Sequence, residues 1–215
     1  MRAQPPTHRP TWVLILASIM LLAGGYSLVA GLLKLRDPAI VLTIGTNEVA
    51  ESDAQMQLNR QLSAARAAVV APHRGRVRFE ATVEILLALF TLYATAAVLS
   101  HDPNGRALAL GVGTLGIAYQ IGTLPIYLPL MHDYAEQAGD LLAQVVLRGA
   151  GGKPTPDAVE VARRLRSAIV GGPIVVAAVS IAGALILLAF FGGRRGRALY
   201  GLDGPLSKKP GKPGV

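Results

Sequence analysis

Glu80 and Glu84 open a long apolar stretch and stand four residues apart, a spacing that places both on one face of a helix. An acidic side chain at the centre of a membrane helix costs about 2.5–3.5 kcal/mol on insertion scales, and less toward the membrane boundary. Such a group takes up a proton, pairs with a cation or faces a water-filled cavity. At the end of the next apolar stretch His132, Glu136 and Asp140 recur at four-residue spacing, with Asp133 beside the first. Acids and an imidazole gathered at one membrane boundary suit ion or proton handling, pH sensing or a divalent metal. The spacing matches no metal signature, so no metal site and no cofactor is assigned. Ordinary ion pairing is the leading expectation. Arg76 precedes Glu80 by four residues, and Lys34, Arg36, Arg163, Arg164 and Arg166 belong to the same side of the membrane.

A second polar group sits deeper. Gly113, Gly116, Gln120, Thr123 and Tyr127 recur at helical spacing. An amide in hydrocarbon must find a hydrogen-bond partner. Gln120 is therefore expected to clamp a helix–helix contact, or to line a pocket or pore together with Tyr119. Small residues at four-residue spacing (Ala23, Ser27 and Gly31; Ala178 and Ala182) favour close helix contacts.

The elements that position these residues follow from hydropathy. The chain has 215 residues, of which 52% are hydrophobic and 16% charged. Soluble domains carry roughly 25% charged residues. A helix needs about 20 mostly apolar residues to cross a bilayer, and four stretches qualify, at about 11–35, 79–99, 107–131 and 168–191. The first follows Arg2 and Arg9 in a manner resembling a signal peptide, yet its apolar run is too long for one. Asp102-Pro103-Asn104-Gly105 is turn chemistry and forces the second and third spans into a hairpin. Pro125 and Pro129 are expected to kink or loosen the end of span three, and Gly171-Gly172-Pro173 to kink span four.

Between the spans, residues 39–50 carry no helical period and read as extended or irregular. Ser52 fits a capping box opening a helix over 53–70, with Leu58, Leu62, Ala65 and Val69 as its apolar stripe. Further helices outside the hydrocarbon are expected over 132–148 and 156–167, the last capped by Thr155, with Pro156 at its first position. It is placed to run on into span four. The expected fold is thus all-α: one four-span membrane domain over residues 11–191, with amphipathic helices in two long loops on one side. A ten-residue N-terminal tail precedes it, and a basic, disordered tail over 192–215 follows.

Four spans put both termini on one side. Of the 13 acids only Asp102 and Asp203 fall on that side, while Arg194, Arg195 and Arg197 crowd the end of span four. Basic density beside span ends marks the cytoplasmic face. Both termini are therefore expected in the cytoplasm of a cell with this chain in its plasma or inner membrane. Arg194, Arg195, Arg197, Lys208, Lys209 and Lys212 are expected to touch anionic lipid headgroups, rather than nucleic acid, despite a net charge of +8.

There is no cysteine, no phosphate-binding or dinucleotide glycine loop, no nucleophile elbow and no HExxH. No repeat of the inverted-transporter kind is visible. The expected function is non-enzymatic, acting through interaction: an accessory subunit, assembly factor or sensor, with a membrane protein partner or a second copy of itself. A small oligomeric channel or transporter, and a membrane-embedded enzyme using the Glu80, Glu84 and His132 group, are the alternatives.

Overall fold

A computed structural model describes residues 10–42, 53–149 and 158–200, and every element in it is helical. The helices are α1 (Thr11–Arg36), α2 (Asp53–Val70), α3 (Arg74–Leu99), α4 (Gly105–Gly149), α5 (Ala158–Gly192) and α6 (Arg194–Leu199), with short 3-10 turns at Pro38–Leu42 and Ala71–His73. Among the described residues four helices are long and apolar enough to cross a membrane. Hydrocarbon offers no partner for backbone N–H and C=O groups, which is why apolar stretches of this length close their bonds within helices. Leu22, Tyr26, Phe79 and Val179, each more than 65% exposed, belong to the outer apolar surface that such a protein turns toward lipid. The chain is built as a multi-pass membrane protein.

The buried face of α1 runs through Val13, Ala17, Met20, Gly24 and Gly31. That of α3 runs through Val77, Ala81, Glu84, Ala88, Thr91, Thr95 and Val98. Both follow alternating steps of three and four, or multiples of that repeat, the seam of left-handed helix pairs. The two helices run antiparallel. Gly24 meets Leu92 and the Ala88 carbonyl, while Gly31 lies against Ile85 and Ala81. The hydroxyls of Thr91 and Thr95 donate to the carbonyls of Leu87 and Thr91, both at 2.8 Å. These two hydroxyls are therefore satisfied inside their own helix.

Where α3 ends, His101 takes φ 58°. The amide of Asp102 donates to Ala97 O at 3.0 Å and that of His101 to Val98 O at 3.4 Å. These two bonds define a Schellman cap with His101 in the left-handed position usually filled by glycine. His101→Gly is expected to raise stability by about 0.5–1 kcal/mol, since a side chain there carries the left-handed penalty. Unfolding midpoints of wild type and variant check this. Asn104 follows in an Asx turn, its amide on Asp102 Oδ1 at 2.7 Å.

Three expectations are corrected. Span three and the helix expected over 132–148 are one element, α4, 45 residues long. Each proline removes a single rung, leaving the carbonyls of Ile121 and Pro125 without their helical donor. Packing of Leu130, Tyr134, Ala135 and Ala138 into a core shared with Leu62, Val69 and Val70 of α2 carries the helix onward. α5, by contrast, runs on into span four as expected, with Gly171-Gly172-Pro173 inside it. Second, Pro38–Leu42 is a 3-10 turn rather than extended chain. Asp37 itself is extended, as Pro38 requires, and its Oδ1 accepts from the Ala39 amide at 3.0 Å, starting the turn. Third, the tail is helical over Arg194–Leu199. Leu199 and Tyr200 pack against the core formed by Val13, Met20, Val98, Ala109 and Phe191, which gives this short helix an apolar anchor. The stripe Leu58, Leu62, Ala65 and Val69 is indeed the inner face of α2. The expected caps at Ser52 and Thr155, Pro156 within its helix, and Lys208, Lys209 and Lys212 lie outside the described residues.

Candidate functional site

Lys34 in the last turn of α1 and the two glutamates of α3 form the centre of the site. A cation in the last turn suits the negative end of the helix dipole. The ammonium of Lys34 lies 2.6 Å from Glu84 Oε2 and 3.2 Å from Glu80 Oε1, with side-chain exposures of 18%, 11% and 1% respectively. The close approach that permits this is set at Gly31, one turn earlier. A Cβ there would stand 2.7 Å from Ile85 Cγ1 and 3.2 Å from Ala81 O.

α4 completes the cluster. Tyr119 donates its hydroxyl to Glu80 Oε1, and Tyr127 donates to Glu80 Oε2 at 2.7 Å. The Lys34 ammonium also lies 5.5 Å from the centre of the Tyr127 ring, within the range of cation–π attraction. Glu80 thus accepts from three donors, and both of its oxygens are partnered. Glu84 accepts from Lys34 through Oε2 alone; Oε1 has no partner among the described residues. With both carboxylates ionised, the three charged groups sum to −1.

This cluster forms one wall of a cleft of about 680 Å³. α1 contributes Tyr26, Val29 and Leu33; the Pro38–Leu42 turn contributes Ile40 and Val41; α4 contributes Gln120, Thr123 and Leu124; α5 contributes Ile169, Pro173 and Val176. The rim residues Tyr26, Val29 and Val176 are 77%, 57% and 61% exposed. The mouth therefore opens sideways between α1 and α5. At the opposite end of these helices Trp12 stacks against Phe190 and Phe191, with ring centroids 5.7 and 6.2 Å apart. The cleft is accordingly a wedge, closed near the chain termini and open beside Lys34.

The structure divides the residues that the sequence singled out. Glu80, Glu84, Tyr119 and Gln120 meet around the cleft. His132 and Glu136 do not. They face each other at 3.2 Å on an exposed part of α4, 61% and 67% exposed. Asp133 is paired with His73 and Asp140 with Arg166. Arg76 is exposed and leaves the glutamates to Lys34. The glycine face of α4 splits: Gly113 and Gly116 pack on Leu188 and Ala184 of α5, whereas Gln120, Thr123 and Tyr127 line the cleft. Thr123 donates to the Gln120 carbonyl at 3.1 Å. The Gln120 side-chain amide has no partner among the described residues. Among the described residues no group of three His, Asp or Glu converges as a metal site. Arg194, Arg195 and Arg197 are exposed on α6.

Sequence reasoning named Lys34 among several cations for the acids without singling it out, and it missed Tyr127 as a partner of Glu80. A signal was present: Lys34 stands three residues after Gly31, on the 3-4 repeat that defines the buried face of α1. Comparison of the chain with protein-family models, with curated proteins and with solved structures finds no match.

Proposed function

We propose that this chain is a non-enzymatic membrane protein that works by holding a partner or ligand in the lateral cleft between α1 and α5. The single observation that carries this reading is the cleft itself. It is largely apolar, has one polar wall, opens sideways, and falls within the roughly 300–1,000 Å³ typical of ligand sites. An accessory subunit, assembly factor or sensor works in this way. A channel or transporter would draw on Glu84, Gln120 and Tyr119; it has less to rest on, since Tyr119 is committed to Glu80 and the cleft these residues line opens to the side. Catalysis by a Glu80, Glu84 and His132 group loses its support because both Glu80 oxygens are engaged by Lys34 and two tyrosines and His132 pairs with Glu136 elsewhere.

The membrane arrangement belongs to the same proposal. α4, at 45 residues, is about 68 Å long at 1.5 Å per residue, more than twice a hydrocarbon core of roughly 30 Å. Its C-terminal part, α2 and the start of α5 then form a cap on the side away from the termini. The four spans make a bundle under this cap. With both termini cytoplasmic in the plasma or inner membrane, the cleft faces the outer leaflet. Arg194, Arg195 and Arg197, with the lysines of the tail, meet anionic headgroups on the inner side. A second copy of the chain, or another membrane protein, covers part of the outer apolar surface.

Because the chain has no cysteine, a single cysteine at Val29 or Val176 is a clean handle for a photo-crosslinker. Crosslinking in native membranes is expected to capture a lipid-like molecule or a partner from both rim positions. Tryptophan at position 176 is expected to abolish capture from position 29. A chain that stays bare at both rim positions, and is monomeric by native mass spectrometry, would remove the basis of the reading.

A further inference from the structure

The ligand class follows from charge and from two unmet hydrogen-bonding groups, and it rests on the reading of the cleft as a binding site. Among the described residues Lys34, Glu80 and Glu84 are the only charged ones lining the cleft, and no arginine or histidine is among its lining. Lys34 is already held by both carboxylates, so with both ionised one negative charge is left without a counterpart. Glu84 is 8% exposed, yet its Oε1 has no partner among the described residues. The amide of Gln120, on the facing helix α4, is likewise unpartnered and lines the same space. Neither group is shut off from the cleft, since among the described residues Tyr200 Oη is the one fully buried side-chain polar atom without a partner; both are open to donors or acceptors that a ligand brings. The remaining surface is apolar and extends along α1 from Lys34 back to Tyr26, about 12 Å at 1.5 Å per residue.

We propose that the cleft binds an amphiphile with a protonated amine head. The ammonium donates to Glu84 Oε1 and to the Gln120 carbonyl oxygen and balances the residual charge. The apolar arm lies between Val29 and Val176, directed toward the bilayer centre. An anionic head is disfavoured by the net charge of the wall, and a neutral head leaves that charge uncompensated.

The test uses the full chain in discs of zwitterionic lipid, titrated with dodecylamine, dodecanol and dodecanoate, three probes of one chain length. Binding is read by native mass spectrometry and by the shift in unfolding midpoint. Dodecylamine is expected to saturate one site at least tenfold more tightly than dodecanol, and dodecanoate to compete with neither. Glu84→Gln is expected to weaken the amine about tenfold and to leave dodecanol unchanged, the scale of one charge-assisted hydrogen bond. Gln120→Leu, which leaves the ion cluster intact, is expected to weaken the amine several-fold. Equal binding of amine and alcohol, or undiminished amine binding in both variants, overturns the amine proposal and leaves the cleft as a site for another amphiphile. If none of the three probes saturates the wild type, and Val176→Trp changes nothing, the cleft reading falls together with the proposal.

Discussion

Lys34→Met is expected to lower stability by about 3–5 kcal/mol, the usual effect of removing one partner from a buried ion pair. The expectation follows from burial. Glu80 and Glu84 expose 1% and 11% of their side chains, and Lys34 is their shared cation. Without it the two carboxylates stand in a low-dielectric wall with, among the described residues, only Tyr119 and Tyr127 as donors, both of them on Glu80. Glu84→Gln alone is expected to cost no more than about 1–2 kcal/mol, because the amide oxygen still accepts from Lys34. Combining Lys34→Met with Glu84→Gln is expected to recover more than half of the loss, since Glu80 keeps its two tyrosine donors. Unfolding of the purified variants in mild detergent, by heat or by denaturing detergent, reads all three. A loss under 1 kcal/mol for Lys34→Met would mean that water or lipid already solvates the cluster.

Gly31→Leu is expected to cost about 3 kcal/mol, the upper part of the range for overpacked contacts. The new Cβ would fall 2.7 Å from Ile85 Cγ1 and 3.2 Å from Ala81 O. A longer side chain can be housed only by moving α1 off α3. That movement draws Lys34 away from Glu80 and Glu84, so packing and electrostatics fail together. Gly25 is the control on the same helix, with nothing within 4 Å of its Cβ position. Gly25→Leu is expected to change stability by less than 1 kcal/mol, and to raise it if anything through helix propensity. Comparable losses at both positions would point to a general intolerance of α1 and not to the contact at Gly31.

The residues that were legible and those that were not differ for physical reasons. Hydropathy marked the four long apolar helices, because a bilayer imposes one length on every span. The stripe of α2 was visible because a half-buried helix must repeat near 3.6 residues. The continuity of α4 through Pro125 and Pro129 was hidden. A proline removes one hydrogen bond locally, and whether the helix survives depends on tertiary packing such as that of Leu130 and Tyr134 against α2. At the site, Glu80, Glu84, Tyr119 and Gln120 stood out as polar groups in apolar surroundings. Their partner did not, because charge alone made Arg76 and Lys34 equivalent. Distance along one helix favoured Arg76; the face of α1 selected Lys34. His132 was grouped with the glutamates from its membrane depth alone. Depth fixes a level in the bilayer but leaves open which way a helix turns, and α4 turns His132 outward.

The pairing of α1 with α3 at Lys34 and Glu84 is the point on which the cleft, its charge and its proposed ligand all depend. The native chain contains no cysteine, so engineered pairs report without background. The direct measurement compares Lys34→Cys with Glu84→Cys, which leaves the net charge unchanged, against Glu84→Cys with His132→Cys. Both are treated in native membranes with a thiol reagent of short fixed span. The 34–84 pair is expected to crosslink rapidly within one chain and the 84–132 pair hardly at all. Rapid crosslinking of 84 to 132 with none to 34 would contradict the structure of the site.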